Sequence, residues 1–212
     1  VTTETIKTIA ERNGVEMYDV YTGFKWIANV MRENEGKKNY IGGGEESYGF
    51  LCEDFVRDKD AVSACVILAE IAAWAKDQGL SLYQLLQKIY VEYGFSKEKG
   101  ISVVKKGKSG AEEIEAMMKK FRENPLTEIA GSKVTYFYDY STLKGKDYAE
   151  NETVTLDMPT TSNVLQYFTE DNTKVSIRPS GTEPKIKFYC EVHSKVKSID
   201  ELPEAEKAAE EK

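Results

Sequence analysis

Two rhythms of apolar residues divide the chain. In the first half they recur every three or four positions, with short extended runs between. Ile6, Ile9 and Ala10 share one face of a helix that Thr3 can cap and Gly14 can stop. Residues 15–21 read as a short extended run, and Phe24, Ile27, Ala28 and Met31 mark a second amphipathic helix. Tyr40 and Ile41 predict a brief strand running into Gly42-Gly43-Gly44. Asp60 is a good N-cap for a long helix reaching Trp74 before Gly79; apolar almost all round, it is expected to be buried on more than one side. Ser81 opens a further helix with Leu82, Leu85, Leu86 and Ile89 inward, ended by Gly94. Helices alternating with short strands predict an α/β domain over residues 1–95 with a mixed, largely parallel sheet.

After residues 94–99, where the periodicity changes and charge rises, the pattern is different. Residues 101–104 read as a strand, and Ser109 with Glu112 forms a capping box for a helix carrying Ile114, Met117, Met118 and Phe121, closed by Pro125. Strands then follow at residues 134–140, with Tyr136, Tyr138 and Tyr140 on one face, and at 164–168, 174–177 and 186–192. Leu202, Ala205, Ala208 and Ala209 place a last helix in the acidic tail. One helix beside a run of strands predicts an α+β domain with an antiparallel sheet over residues 96–212. The boundary segment 94–99 reads as a linker about which the second domain can rock and close over a ligand.

Composition narrows the partners. With 29 basic and 36 acidic residues the net charge is −7, which argues against nucleic acid and requires any bound anion to be held by a local basic site. The longest apolar stretch, residues 64–69, is far short of the ~20 residues that cross a bilayer, so no membrane partner is expected. Cys52, Cys65 and Cys190 lie far apart beside a single His, which reads as reduced thiols in a cytoplasmic protein and leaves no Cys/His metal site. The chain opens at Val1, inside what reads as a strand end, and is expected to be part of a longer protein.

Three loops carry candidate chemistry. Residues 42–49, Gly-Gly-Gly-Glu-Glu-Ser-Tyr-Gly, combine four glycines with acceptors that suit hydroxyls better than phosphates, so Glu45 and Ser47 read as sugar-hydroxyl ligands. Residues 178–184, Arg-Pro-Ser-Gly-Thr-Glu-Pro, join two strands. Arg178 offers a fork matched to phosphate, Ser180 and Thr182 offer hydroxyls, and Gly181 permits a turn that aims amides into a concavity. If Ile186, Phe188, Cys190 and Val192 face the core, Lys187 emerges on the other side of its strand within reach of the same anion. In residues 57–60, Arg-Asp-Lys-Asp, the simplest reading is a helix cap among solvated charges. Likewise Thr22-Gly23-Phe24-Lys25 most simply opens a helix.

In this order the four segments resemble the α-D-phosphohexomutases, the phosphoglucomutase and phosphomannomutase enzymes, across residues 2–192. The resemblance implies most of that family's third domain followed by its TATA-binding-protein-like fourth domain. It implies that Glu45 and Ser47 hold hexose hydroxyls, with Lys59, Thr22 and Lys25 at the substrate. Arg178, Ser180, Gly181, Thr182 and Lys187 would bind the non-reacting phosphate. Glu-Glu-Ser, rather than Glu-Met-Ser, is closer to the glucose-preferring members. The family's phosphoserine loop with its Ser-His-Asn core and its Mg²⁺ loop, Asp-Gly-Asp-x-Asp-Arg, have no match here, nor do the third domain's opening helix and most of its first strand. The resemblance therefore implies an intact protein with these domains upstream, using Mg²⁺ and a hexose 1,6-bisphosphate, while this chain alone is expected to be inactive. A stand-alone phosphosugar-binding module without chemistry is the alternative.

Overall fold

Thr3 begins the first helix as expected: its side chain accepts a hydrogen bond from the Thr5 N–H at 3.2 Å, and α1 (Glu4–Arg12) follows. The computed structural model describes residues 1–105, 107–181 and 183–212. They form two units, Val1–Phe95 with Lys195–Leu202, and Ser96–Ser194 with Pro203–Lys212.

In the first unit, residues 15–21 run without joining a sheet, and α2 (Phe24–Asn34) then buries Phe24 and Met31. The strand expected at Tyr40 and Ile41 instead begins at Gly42. β1 (Gly42–Gly44) and β2 (Phe50–Cys52) pair antiparallel, with Gly43 opposite Leu51. The largely parallel pairing is not found among the described residues of this unit. β1 and β2 are joined by only five residues, a connection that closes a hairpin and is too short for a parallel crossover. Helices supply the rest: α3 (Ala61–Asp77), α4 (Leu82–Tyr93) and a 3-10 turn at Ile199–Glu201. Asp60 caps α3 by accepting from the Ser63 N–H at 2.8 Å, and Ser81 and Gln84 form a capping box on α4.

The buried cluster here is small: Phe24, Met31 and Leu51, with Ile27 and Tyr40 packed against it. α3 departs from expectation. It lies along β2 and α4, yet of its side chains only Ala75 is recorded as buried, and Val62, Val66, Leu68 and Trp74 are more than half exposed. An all-apolar helix needs partners on several sides, and the two elements beside it cover only part of its surface.

The second unit is a helix-on-sheet layer. Its elements are β3 (Phe95–Val104), α5 (Gly107–Glu123), β4 (Glu128–Ile129), β5 (Ser132–Asp139), β6 (Lys144–Asp147), β7 (Glu152–Thr155), β8 (Leu165–Thr169), β9 (Lys174–Pro179) and β10 (Lys185–Ser194). The last helix is α6 (Leu202–Glu211). The strands lie in the order β3-β10-β9-β8-β5-β6-β7, with β4 paired to β5. The ladders of β5 with β4, β6 and β8, of β6 with β7, and of β9 with β8 and β10 are all antiparallel. Residues 95–99 belong to β3 rather than to a loose linker, and α5 begins two residues before Ser109, so that residue sits inside the helix and not at its cap.

Ile114 and Met118 of α5 pack on Val134, Phe137, Leu165, Tyr167, Ile177 and Ile186 from four strands. A register shift between Val134 and Tyr136 lets Val134 and Phe137 both join this core, while Tyr138 meets Phe168 at 5.3 Å. Gly145, opposite Tyr138 on β6, is required by close approach: a Cβ there would stand 2.4 Å from the Tyr138 ring.

Candidate functional site

The sequence-predicted residues fall into one group in each unit. In the first, the five-residue turn at 45–49 reverses the chain between β1 and β2, closed by the Glu45 N–H donating to the Gly49 carbonyl at 2.8 Å. Tyr48 adopts φ 70 and is wholly exposed at its tip, next to the exposed Ser47. Half-buried Glu45 turns back. Its Oε1 accepts from the Gly23 N–H at 2.9 Å, at the start of α2. Gly23 has no side chain to cap that helix, and Glu45 supplies a carboxylate where orphan amides and the positive end of the helix dipole favour one. Its Oε2 lies so close to Gly49 that a Cβ there would be 2.7 Å away.

The same contact fixes the Thr22-Gly23-Phe24-Lys25 segment against the loop. Half-buried Thr22 precedes α2, and Lys25, on its first turn, lies with its Nζ 5.1 Å from the centre of the Trp26 ring. Lys59 arrives from the connection between β2 and α3. Its stem borders Gly49, and its Nζ stands 5.8 Å from the Phe24 ring and 3.2 Å from Asp58 Oδ1. The Lys59 backbone N–H, and then its ammonium, hold the Asp58 carboxyl below its ordinary range. Thr22, Glu45 and Lys59 are therefore neighbours, with acceptors and a cation side by side, while the Lys25 ammonium lies against Trp26. That set suits a polyhydroxy ligand bearing negative charge.

In the second unit, Arg178 of β9 and Lys187 of β10 are direct cross-strand partners. Opposed residues of an antiparallel pair project from the same sheet face, and the neighbouring Ile177 and Ile186 occupy the face toward α5. Arg178 and Lys187 are both half-buried, and the Lys187 Nζ lies 5.8 Å from the Tyr189 ring. The turn beyond them is braced from within. The Ser180 N–H donates to the Lys185 carbonyl at 2.8 Å, and the Glu183 N–H donates to Ser180 Oγ at 3.3 Å. Lys185 pairs with Glu183 and holds its carboxyl below the usual range. Gly181 is exposed; Thr182 lies outside the described residues.

Sequence reasoning missed the polar ladder on that face. Tyr140 Oη, just past the end of β5, donates to Gln166 Oε1 of β8 at 2.7 Å, and Gln166 Nε2 donates to Ser176 Oγ of β9 at 2.9 Å. Ser176 opposes Tyr189, whose buried hydroxyl has no hydrogen-bond partner among the described residues. The alternation of Ser176, Arg178 and Lys187, Tyr189 about the core positions was the available signal.

Comparison with known proteins covers the stretches in which both groups lie. The family profile described as "Phosphoglucomutase/phosphomannomutase, alpha/beta/alpha domain III" matches residues 1–93, and that described as "Phosphoglucomutase/phosphomannomutase, C-terminal domain" matches residues 102–209. A phosphoglucomutase of Staphylococcus haemolyticus is 37% identical over 187 residues, covering 88% of this chain and 34% of that protein. One from Staphylococcus aureus is 40% identical over 189 residues, covering 89% of this chain and again 34% of the relative. The chain thus spans about a third of the length of the curated relatives it matches. The open-form crystal structure of the Paramecium exocytosis-sensitive phosphoprotein pp63/parafusin, a phosphoglucomutase, shares the fold, with a TM-score of 0.62 at 18% identity over 93% of this chain and 32% of that one. With one profile covering each half and both loop groups inside the matched residues, the chain belongs to the phosphoglucomutase/phosphomannomutase family.

Proposed function

We propose that this chain is the substrate-holding part of an enzyme that interconverts hexose 1-phosphate and hexose 6-phosphate. On this reading the longer protein transfers a phosphoryl group between an enzyme serine and the sugar, through a hexose 1,6-bisphosphate. The observation that carries the proposal is the Arg178–Lys187 pair, two cations set opposite each other on one sheet face beside the Ser180–Gly181 turn. Such a fork and point charge match a phosphate, each charge-assisted contact contributing roughly 1.5–3 kcal/mol. Residues 1–95 hold the hydroxyls through Glu45 and Ser47, with Thr22, Lys25 and Lys59 alongside, and residues 96–212 hold the non-reacting phosphate.

Phosphoryl transfer depends on positioning and charge stabilisation, and positioning is what these residues offer. Arg178, Lys187, Ser180 and Gly181 (with Thr182 in the same loop) clamp the remote phosphate. Glu45 is itself held by the Gly23 N–H and so presents its carboxylate in one orientation to the ring. Mg²⁺ and the phosphoserine belong, on this reading, to upstream domains. Among the described residues no group of three or more His, Cys, Asp or Glu is placed to hold a metal ion, and no step here passes through one. The exposed apolar side chains of α3 support the presence of further chain that covers them. A cytoplasmic location is part of the proposal; among the described residues no helix is long and apolar enough to cross a membrane, and the three cysteines are free thiols. The test is a mutase assay of the purified 212-residue chain with glucose 1-phosphate. No turnover is expected, and measurable turnover would overturn the division of labour.

A further inference from the structure

The outer face of α2 lines a hollow that shares Lys25 with the proposed sugar group but is otherwise built from residues outside both loops. Lys25, Ala28, Asn29 and Arg32 follow the i, i+3, i+4, i+7 spacing of a single helix face. Arg57 and Asp58, from the connection between β2 and α3, stand across from them, and the six enclose an open hollow of about 390 Å³. Three cations against one carboxylate make its lining net positive, on a chain of net charge −7. Ala28 leaves room in the middle of the helical face, while Asn29 Oδ1 accepts from Arg32 Nη2 at 3.2 Å and steadies that guanidinium.

The acids nearby are already engaged. Asn29 Nδ2 donates to Glu33 Oε1 at 2.7 Å, Arg57 pairs with Glu35 at 3.0 Å, and Asp58 pairs with Lys59. The Arg57–Glu35 pair is well exposed, with side chains 40% and 66% accessible, and an exposed pair of that kind is weak enough for a divalent oxyanion to displace. The hollow falls within the size range of small-ligand sites and is larger than a bare phosphate needs.

We infer that this hollow is a binding site for a phosphate monoester, seated between the guanidinium groups of Arg32 and Arg57 with Lys25 closing one side. Planar guanidinium forks match phosphate oxygens in pairs, which a scatter of surface lysines does not. The inference does not depend on the roles of Glu45 or Arg178.

The test is NMR titration of the ¹⁵N-labelled chain, with ionic strength held constant by chloride, against inorganic phosphate and separately against glucose 1-phosphate. Both should shift the amides of residues 25–32 and 57–58 saturably, the monoester at least as tightly as the free ion. Arg32→Ala should weaken that binding about tenfold. Arg32→Lys, which keeps the charge and loses the fork, should weaken it less, and Lys7→Ala on α1 should leave it unchanged. Identical titrations of the parent and Arg32→Ala, or the same shifts from chloride alone, would overturn the inference. So would weaker binding of the monoester than of inorganic phosphate. Shifts confined to residues 178–187 would support the phosphate loop of the second unit and remove the hollow.

Discussion

Glu45 has a structural role and a proposed ligand role that one substitution series separates. Its Oε1 bonds the Gly23 N–H at 2.9 Å, at the start of a helix whose own N-cap has no side chain to offer. A hydrogen bond to a charged group contributes about 1.5–3 kcal/mol, and a carboxylate near a helix N-terminus a further ~0.3–1 kcal/mol. Glu45 is only half-buried, so the lower ends apply. Glu45→Ala is expected to destabilise the first unit by about 2 kcal/mol; Glu45→Gln, which keeps an acceptor and loses the charge, by about 0.5–1 kcal/mol. Both tryptophans, Trp26 and Trp74, lie in that unit, so urea unfolding followed by their fluorescence reads it selectively. At an m-value of about 2 kcal/mol/M the alanine midpoint should fall by roughly 1 M. An alanine variant unfolding within about 0.1 M of the parent would show that Glu45 does not anchor α2. Glu45→Gln, folded but uncharged, then isolates the ligand role.

Other outcomes follow from the second unit and from buried phenols. Gly145→Ala, which drives a Cβ to 2.4 Å from the Tyr138 ring, should lower stability by about 1–3 kcal/mol in thermal melts, whereas Gly100→Ala, with open space around it, should not destabilise. Lys174 and Glu191 form an ion pair at 3.0 Å with both side chains about 5% exposed or less. Glu191→Ala should cost about 3–5 kcal/mol by chemical denaturation, and replacing both partners by apolar residues should recover much of it. Burial pushes the hydroxyls of Tyr40, with Cys52 nearby, and of Tyr167 up to about 12. The folded chain therefore keeps protons that the unfolded chain releases from about pH 10. Stability is full below pH 10 and falls as pH rises toward 12, and Tyr40→Phe with Tyr167→Phe should flatten that decline in pH-dependent melts.

Legibility tracked how local the physics was. Thr3, Asp60 and Ser81 announced their helices because a cap needs only its own next few residues. The strands flanking the Arg178 turn were legible from their alternation, and β9–β10 register sets Lys187 opposite Arg178. The strand near Tyr40 slid to Gly42 because pairing with β2, not propensity, sets its position. β6 and β7, at Lys144–Asp147 and Glu152–Thr155, were missed since Lys-Gly-Lys-Asp has no apolar alternation and is held by its neighbours. The burial of α3 was overestimated because apolar composition states a demand for partners without saying which segment meets it. Glu45 was singled out as a candidate by its glycine context, but its bond to Gly23 joins residues 22 apart and no local signal encodes it.

The most direct measurement is steady-state kinetics of the full-length protein carrying this sequence, comparing Arg178→Ala with the parent on glucose 1-phosphate. Loss of one charge-assisted phosphate contact predicts a rise in KM of about tenfold or more in a protein whose circular dichroism is unchanged. An Arg178→Ala enzyme with the parent's KM would contradict the assignment of the phosphate to the β9–β10 turn.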